Sequence, residues 1–392
     1  MNKLPAGWEI KKLKDICTIQ DGIHKTPKYT SKGIKFVSVE NINDLYNSNK
    51  FISEEDYNKM YKIKAKKNDI FMTRIGDIGT PAILNKDEKL AYYVTLCLFT
   101  NIDEEVFNKY LYYAIQSNYF KKELYHRTLH VAFPKKINLG DIGDCKFILP
   151  TLDEQKRIAS ALSKIDAYLE NTIKLIEEKE RFKRGIAKKL LTCKEGENIP
   201  EARFKGFEDE WETKTLENIC KNIKTGKLNA NAMEKDGQYR FYTCAKDYYK
   251  INTYAFDGEA ILISGNGAHV GYVHYYNGKF NAYQRTYVLM DFTENILFIK
   301  YYLDIHLKYK INIENNKGNI PYIVLNTIKD MEIKFPSLEE QEKIGGYLSL
   351  LDAEIDNLKK QKELIKEMKR GAMQKLLSGE VRLSKNAFNE NI

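Results

Sequence analysis

Pro150-Thr-Leu-Asp-Glu-Gln-Lys-Arg-Ile158 and Pro336-Ser-Leu-Glu-Glu-Gln-Glu-Lys-Ile344 are two versions of one stretch, 186 residues apart. The first runs on to Lys183-Arg184-Gly185 and Lys189-Leu190-Leu191, the second to Lys369-Arg370-Gly371 and Lys375-Leu376-Leu377. Residues 150–191 match 336–377 without a gap, and 18 of the 42 positions are identical. A repeat of this length implies two equivalent halves, each ending in a long helix.

Both copies open on a helix start. Thr151-x-x-Glu154 and Ser337-x-x-Glu340 have the form of capping boxes, in which the hydroxyl accepts the N–H three residues on and the glutamate reaches back to the cap. About 40 residues at ~1.5 Å each make a rod of roughly 60 Å. Apolar residues recur in alternating steps of four and three, the spacing of a coiled-coil seam. In the first helix they are Ile158, Leu162, Ile165, Leu169, Ile176, Ile186 and Leu190. In the second they are Ile344, Leu348, Leu351, Ile355, Leu358, Ile365, Ala372 and Leu376. Thr172, Lys179, Lys183, Lys362 and Lys369 interrupt the seam. Two helices of matched phase, with a long domain between them that lets the chain return, predict an antiparallel intramolecular pair. Gly185 and Gly371 occupy equivalent interior positions, where glycine costs about 1 kcal/mol against alanine. They mark either a close backbone approach or a tolerated bend.

Shorter β-like runs precede each helix. Trp8-Glu-x-Lys-x-Leu13-x-x-Ile16-Cys17 is repeated as Trp211-Glu-x-Lys-x-Leu216-x-x-Ile219-Cys220, now offset by 203. Strands are expected at 35–39, 69–73, 81–84 and 92–99 in the first half, and at 239–242, 260–263, 271–276 and 287–290 in the second. A helix follows in each, over 106–124 and 297–309. The fold class is therefore α+β: two α/β domains separated by two long helices in an antiparallel coiled coil, with a pseudo-twofold internal repeat. The expected boundaries are a first domain 1–150, a helix 151–192, a linker 193–207, a second domain 208–336, a helix 337–380 and a flexible tail 381–392.

The 392 residues carry a net charge of +9 and 27 tyrosines. A basic, tyrosine-rich surface suits a polyanion such as DNA. The polar loops between strands are the candidate contacts. In the first half they supply Lys25, Thr26, Lys28, Tyr29, Arg74, Asp77, Arg127, His130 and Lys135. In the second they supply Lys227, Tyr242, Lys246, Asn266, His269, Arg285, Lys317 and Asn319. Arg and Asn can each bond two base-edge atoms at once, and Lys and Thr suit phosphates. Arg74 and Asp77 sit opposite Asn266 and His269 in the repeat, so a common scaffold carries different loops. That pattern suggests two readers of two different short sequences.

The chain resembles the DNA-specificity (S) subunits of type I restriction-modification systems. The resemblance rests on Pro-x-Leu-x-Glu-Gln-x-x-Ile at 150–158 and 336–344, and on Pro200-Glu-Ala-Arg-Phe-Lys-Gly-Phe207 followed by Trp211. Asp69-Ile-Phe-Met-Thr-Arg-Ile-Gly-Asp-Ile-Gly79 and Gly258-Glu-Ala-Ile-Leu-Ile-Ser-Gly-Asn-Gly-Ala-His-Val-Gly271 complete it. It covers nearly the whole chain in order. It implies two target-recognition domains, each reading half of a split, asymmetric double-stranded DNA site. It also implies helices that measure the unread spacer and bind two methyltransferase subunits, with restriction subunits joining the assembled complex. S-adenosylmethionine, ATP and Mg²⁺ are then expected on the partners and none on this chain. A stand-alone DNA-modifying enzyme and a protein-binding coiled-coil scaffold are the rival readings.

The sequence carries no recognisable catalytic motif. It lacks a G-x-x-x-x-G-K-[ST] phosphate loop and an Asn-Pro-Pro-Tyr methylation motif. Asp330-x-Glu332-x-Lys334 faintly resembles a nuclease site but reads as an ordinary strand. The histidines at 24, 126, 130, 269, 274 and 306 form no H-E-x-x-H pair. The cysteines at 17, 97, 145, 193, 220 and 244 form no C-x-x-C pair, so neither catalytic residues nor a metal site is expected. Reduced cysteines and the absence of an apolar leader at Met1–Trp8 lead us to expect a cytoplasmic protein with no membrane span.

Overall fold

A computed structural model describes residues 4–314 and 322–384. The chain divides into two compact units, Met1–Thr172 with Gln361–Ile392, and Ile173–Lys360. In chain order the first carries β1 (Glu9–Lys12), β2 (Thr18–Asp21), β3 (Ile34–Val37), β4 (Phe51–Ile52), α1 (Glu54–Met60), β5 (Ile70–Ile75) and β6 (Asp77–Ile83). It continues with β7 (Leu90–Tyr92), β8 (Leu96–Thr100), α2 (Asn108–Ile115), α3 (Asn118–Arg127), α4 (Leu139–Gly143) and β9 (Lys146–Leu149). The long helix α5 (Leu152–Leu191) then runs into the second unit. There follow β10 (Glu212–Thr215), α6 (Leu216–Ile219), β11 (Cys220–Thr225), β12 (Tyr239–Tyr242), β13 (Tyr249–Ile251), β14 (Phe256–Ser264) and β15 (Val273–Ala282). The series ends with β16 (Thr286–Phe292), α7 (Ile296–Glu314), α8 (Leu325–Lys329), β17 (Glu332–Phe335) and the second long helix, α9 (Leu338–Ser378). No helix among the described residues is long and apolar enough to cross a membrane.

The two sheet systems share one plan. The first unit has a sheet ordered β2-β8-β5-β6 and a second ordered β4-β3-β7. The second unit joins the same positions into one sheet, β11-β16-β14-β15-β12-β13. Its ten-residue β15 serves where the stretch 84–89, polar from Asn85 on, separates β6 from β7. The lead-in strand of each half pairs with the strand that enters the long helix: Glu9 opposite Leu149, and Glu212 opposite Phe335. Glu332 and Lys334 are thus ordinary ladder residues of β17. The helix expected over 106–124 is two helices. Ser117 is extended and accepts the Phe120 N–H, starting α3 anew.

Each unit packs its core against halves of both long helices. Ile158, Leu162, Leu376 and Leu377 join the core of the first, and Leu190, Leu191, Ile344 and Leu348 that of the second. The seam residues Ile176, Leu351, Ile355 and Ile365 are buried, and Ile165, Leu169 and Leu358 are half-buried. Within the second unit Lys179 pairs with Glu354 and Lys183 with Asp352, so the helices run antiparallel. Two of the seam lysines, Lys183 and Lys369, belong to a repeated cluster. Asp352 holds Lys183 and accepts the Tyr301 hydroxyl at 2.6 Å. In the first unit Asp166 holds Lys369 at 2.6 Å and accepts the Tyr113 hydroxyl at 2.7 Å. Burial alone would raise the Asp352 carboxyl, but Lys183 and the Tyr301 hydroxyl hold it below its ordinary value.

The capping boxes close only in part: the Ser337 hydroxyl accepts the Glu340 N–H at 3.4 Å, but neither glutamate reaches back to its cap's N–H. Thr151 donates to Glu154, which also accepts the Trp8 indole N–H at 3.0 Å and the Arg382 guanidinium at 2.7 Å. Glu340 instead holds Arg203 through both oxygens, at 2.9 and 2.8 Å. The next residue fastens the helix to its domain. Gln155 accepts from Phe107 N and donates to Glu105 O, while Gln341 accepts from Asn295 N and donates to Glu294. The stretch 193–207 is not a free linker. Ala202 N donates to Lys189 O at 2.9 Å, and Phe204 packs against Tyr347. Residues 381–384, read as the start of a tail, are held through Arg382 and Leu383; 385–392 lie outside the described residues. Nothing lies within 4 Å of a Cβ built on Gly185 or Gly371, so neither marks a close approach within the chain.

Candidate nucleic-acid interface

In the second unit the loops at one end of the sheet enclose a cleft of about 610 Å³. Thr225 comes from the end of β11, Gly265 and Asn266 from the end of β14, and Gln284 and Arg285 from the β15–β16 turn. Tyr322 and Ile323 close it. Backbone bonds hold the walls: Gly265 N donates to Arg285 O at 2.9 Å, and Ile323 N to Gly265 O at 2.8 Å. A Cβ on Gly265 would stand 2.3 Å from Arg285 O, so only glycine permits that approach. Gln284 and Arg285 are exposed and Asn266 is half-buried. Among the described residues no protein group pairs with the side-chain amides of Asn266 and Gln284 or the guanidinium of Arg285. These are the side-chain types able to make paired bonds to base edges.

Other expected residues lie on the loops around this cleft. Leu228, next to Lys227, accepts the Gln284 N–H at 2.9 Å. Cys244, two residues before Lys246, donates its thiol to Arg285 O. His269 ends a single turn of 3-10 helix that begins directly after Asn266. Tyr242 does not join them. It is 2% exposed, and its hydroxyl accepts from Arg240. Lys317 and Asn319 lie outside the described residues. The sequence reading missed Tyr322 and a second cationic site. The Arg240 guanidinium lies between the rings of Tyr248 and Tyr276, at 4.2 and 4.4 Å, with Lys250 and Lys279 beside the same hollow. The abundance of tyrosine beside lysine and arginine was its only trace in the sequence.

The first unit fills the corresponding place. Arg74 N donates to Thr95 O and Ile137 N to Arg74 O, which aligns Arg74 with Gly265 and Thr95 with Arg285. The matching of Arg74 with Asn266 is thereby corrected by one residue. Arg74 is 7% exposed. Its Nε donates to Ile137 O at 3.2 Å and its Nη1 to Val94 O at 3.1 Å, with Asp21 at 3.5 Å. Arg74 therefore ties three loops together and is not presented to solvent, as a base contact would require. Lys25, Thr26, Lys28 and Tyr29 are exposed on the loop that follows Asp21. Asp77, the first residue of β6, accepts the Thr73 hydroxyl. Arg127 pairs with Glu123 at 3.0 Å, and His130 bonds Tyr125 O. Lys135 is exposed, and its carbonyl accepts the Gly76 N–H at 2.8 Å, bringing the 128–137 loop against the β5–β6 turn.

The family model for the type I restriction modification DNA specificity domain matches residues 5–178 and 208–367. The chain belongs to this DNA specificity family. It resembles the type I restriction enzyme EcoDI specificity subunit of Escherichia coli, with 37% identity over 187 residues. That match covers 46% of this chain and 41% of EcoDI, so it spans less than half of that relative. The putative MjaX specificity subunit of Methanocaldococcus jannaschii is 27% identical over 420 residues, covering 98% of this chain and 96% of that one. Among solved structures, the S subunit of a type I system from M. genitalium superposes with a TM-score of 0.63 at 19% identity, covering 96% of this chain and 97% of that chain. A chain from work on the assembly and conformational transition of the type I R-M system gives 0.58 at 15% identity, covering 97% and 100%. At these identities the structures establish the shared fold. The chain thus carries the type I DNA specificity domain in both halves.

Proposed function

We propose that each unit reads one half of a split, asymmetric double-stranded DNA site on behalf of methyltransferase subunits, and that α5 and α9 set the unread spacer. The observation that carries this reading is the cleft of the second unit, where Asn266, Gln284 and Arg285 gather with no protein partner among the described residues. In the first unit Arg74 occupies the matching place, so the shared scaffold offers two different surfaces. The net charge of +9 favours a polyanion in general terms.

The helices support two copies of one partner. Phe182 and Met368, 186 residues apart, are 52% and 50% exposed. One turn after each stands a glycine, Gly185 or Gly371, with open space where a Cβ would be. Two matched apolar positions, each followed by an open glycine, suit two methyltransferase subunits, through which restriction subunits join. In this reading S-adenosylmethionine, ATP and Mg²⁺ sit on those partners, and the complex works in the cytoplasm.

The test is to map methylated adenines across the genome of a host carrying the partner methyltransferase, with and without this chain. A split, asymmetric motif is expected only when the chain is present. Equal methylation of the same sites in its absence would refute the proposal.

A further inference from the structure

The 128–137 loop of the first unit has a fixed root and a bare tip. Leu129 N donates to Lys136 O at 2.8 Å, Ile137 N to Arg74 O at 3.1 Å, and the Thr128 hydroxyl to Leu124 O at 2.8 Å. At the tip, Val131 is 99% and Phe133 104% exposed, more than any other large apolar side chain among the described residues. Folding gains nothing from these side chains where they stand. An apolar group held out in this way marks a contact surface.

The surroundings indicate what it contacts. No acidic residue occurs between Glu123 and Asp141, while His126, Arg127, His130, Lys135 and Lys136 lie within that span. Arg127 is committed to Glu123, but Lys135 and Lys136 flank the tip and are exposed. Asp77, at the start of β6 beside that loop, already accepts the Thr73 hydroxyl. An apolar tip framed by cations matches a ligand with flat apolar faces inside an anionic shell. Stacked base pairs between two phosphate backbones have that chemistry.

We propose that Val131 and Phe133 form a wedge that enters the base stack of the half-site read by the first unit and unstacks one step. This rests on the DNA-reading function proposed above and adds that the reading deforms the duplex. The wedge belongs to one half only. The bonds of Ile137 N to Arg74 O and Ile323 N to Gly265 O set an offset of 186. At that offset Val131 and Phe133 correspond in sequence to Lys317 and Asn319, neither of which is apolar.

The experiment uses the full chain assembled with its methyltransferase subunits. The chain has two tryptophans, Trp8 and Trp211, both buried, so Phe133→Trp places the one exposed indole at the tip. Cognate duplex is expected to quench that indole at least twofold. Thymines at one step of the first half-site should become reactive to permanganate. The double variant Val131→Ala, Phe133→Ala should lose that reactivity and bind about tenfold or more weakly, the scale of one lost stacking contact. Because both side chains are exposed, folding should be unchanged. Tight cognate binding with an unquenched indole would overturn the wedge and leave the DNA-reading function intact. Quenching by the methyltransferase subunit alone would also overturn it, by assigning the tip to a protein contact. If the wild-type complex showed no sequence-specific binding, both proposals would fall.

Discussion

The Arg74 guanidinium reaches two backbone carbonyls and lies near Asp21, so cutting it to alanine leaves buried acceptors without donors. Arg74→Ala should lower the stability of the first unit by roughly 2–4 kcal/mol, read from denaturant melts. Arg285→Ala should leave melting unchanged and lower specific DNA binding by about 1–3 kcal/mol, read from duplex titrations. A loss of binding for Arg74→Ala without loss of stability would return Arg74 to the recognition surface. The sequence showed both arginines in polar loops between strands and could not separate them. What separates them is the neighbouring strand: Asp21 and the carbonyls of Val94 and Ile137 enclose Arg74, while Arg285 projects from an outer turn. Tyr242 was misread for the same reason, since the sheet that covers it is assembled from distant segments. His306 adds a pH dependence. Burial depresses its pKa below the ordinary 6.5, while its ring bonds the Leu191 carbonyl at 2.9 Å. The unfolded chain therefore takes up the proton first as pH falls. Stability is full above about 6.5 and declines below it, as the unfolded state binds more protons. Thermal melts of the second unit between pH 8 and 5 should show that decline, and His306→Gln should reduce it.

At the scale of elements, the helices were the most legible part of the sequence, because seam spacing survives regardless of what else the chain does. The helix ends were less so. Thr151 and Ser337 have the residues of a capping box, yet the glutamates are drawn to Arg382 and Arg203, which no local pattern relates to them. The seam lysines make the same point. Two of them, Lys183 and Lys369, are ion-paired to aspartates that also accept a tyrosine hydroxyl from the adjoining domain, once in each unit. Each such cluster joins a lysine from one long helix, an aspartate from the other and a tyrosine from the globular part, so it fixes register and docking together. The glycines are different, since neither meets anything in the chain. Gly185→Ala and Gly371→Ala should each stabilise the helix by about 1 kcal/mol, seen as a higher melting temperature. If the matched positions seat the methyltransferase subunits, the same variants should weaken assembly in co-purification. A stabilised chain that assembles normally would show the glycines to be merely tolerated.

The whole molecule is one design used twice, and each unit draws on both ends of that repeat. Arg203 follows α5 and serves Glu340, while Arg382 follows α9 and serves Glu154, so each unit takes its arginine from the segment after the other repeat's helix. Both long helices pass from one unit into the other without a break, each contributing one half of its length to either side. This continuity underlies the proposed spacer role. A rigid helix transmits a change in length, whereas a flexible linker absorbs it. Inserting one heptad into both helices, near Thr172 in α5 and Gln361 in α9, keeps the seam in phase and lengthens each by about 10 Å. At ~3.4 Å per base pair the preferred spacer should grow by up to three base pairs, with both half-sites unchanged. Inserting the heptad in one helix alone would put the paired seams out of register and should cost stability instead. Mapping methylated sites in a host that carries the doubly lengthened chain decides the matter. A longer spacer between the same half-sites supports the helices as the measure of separation, and an unchanged spacer assigns that measure to the recognition units themselves.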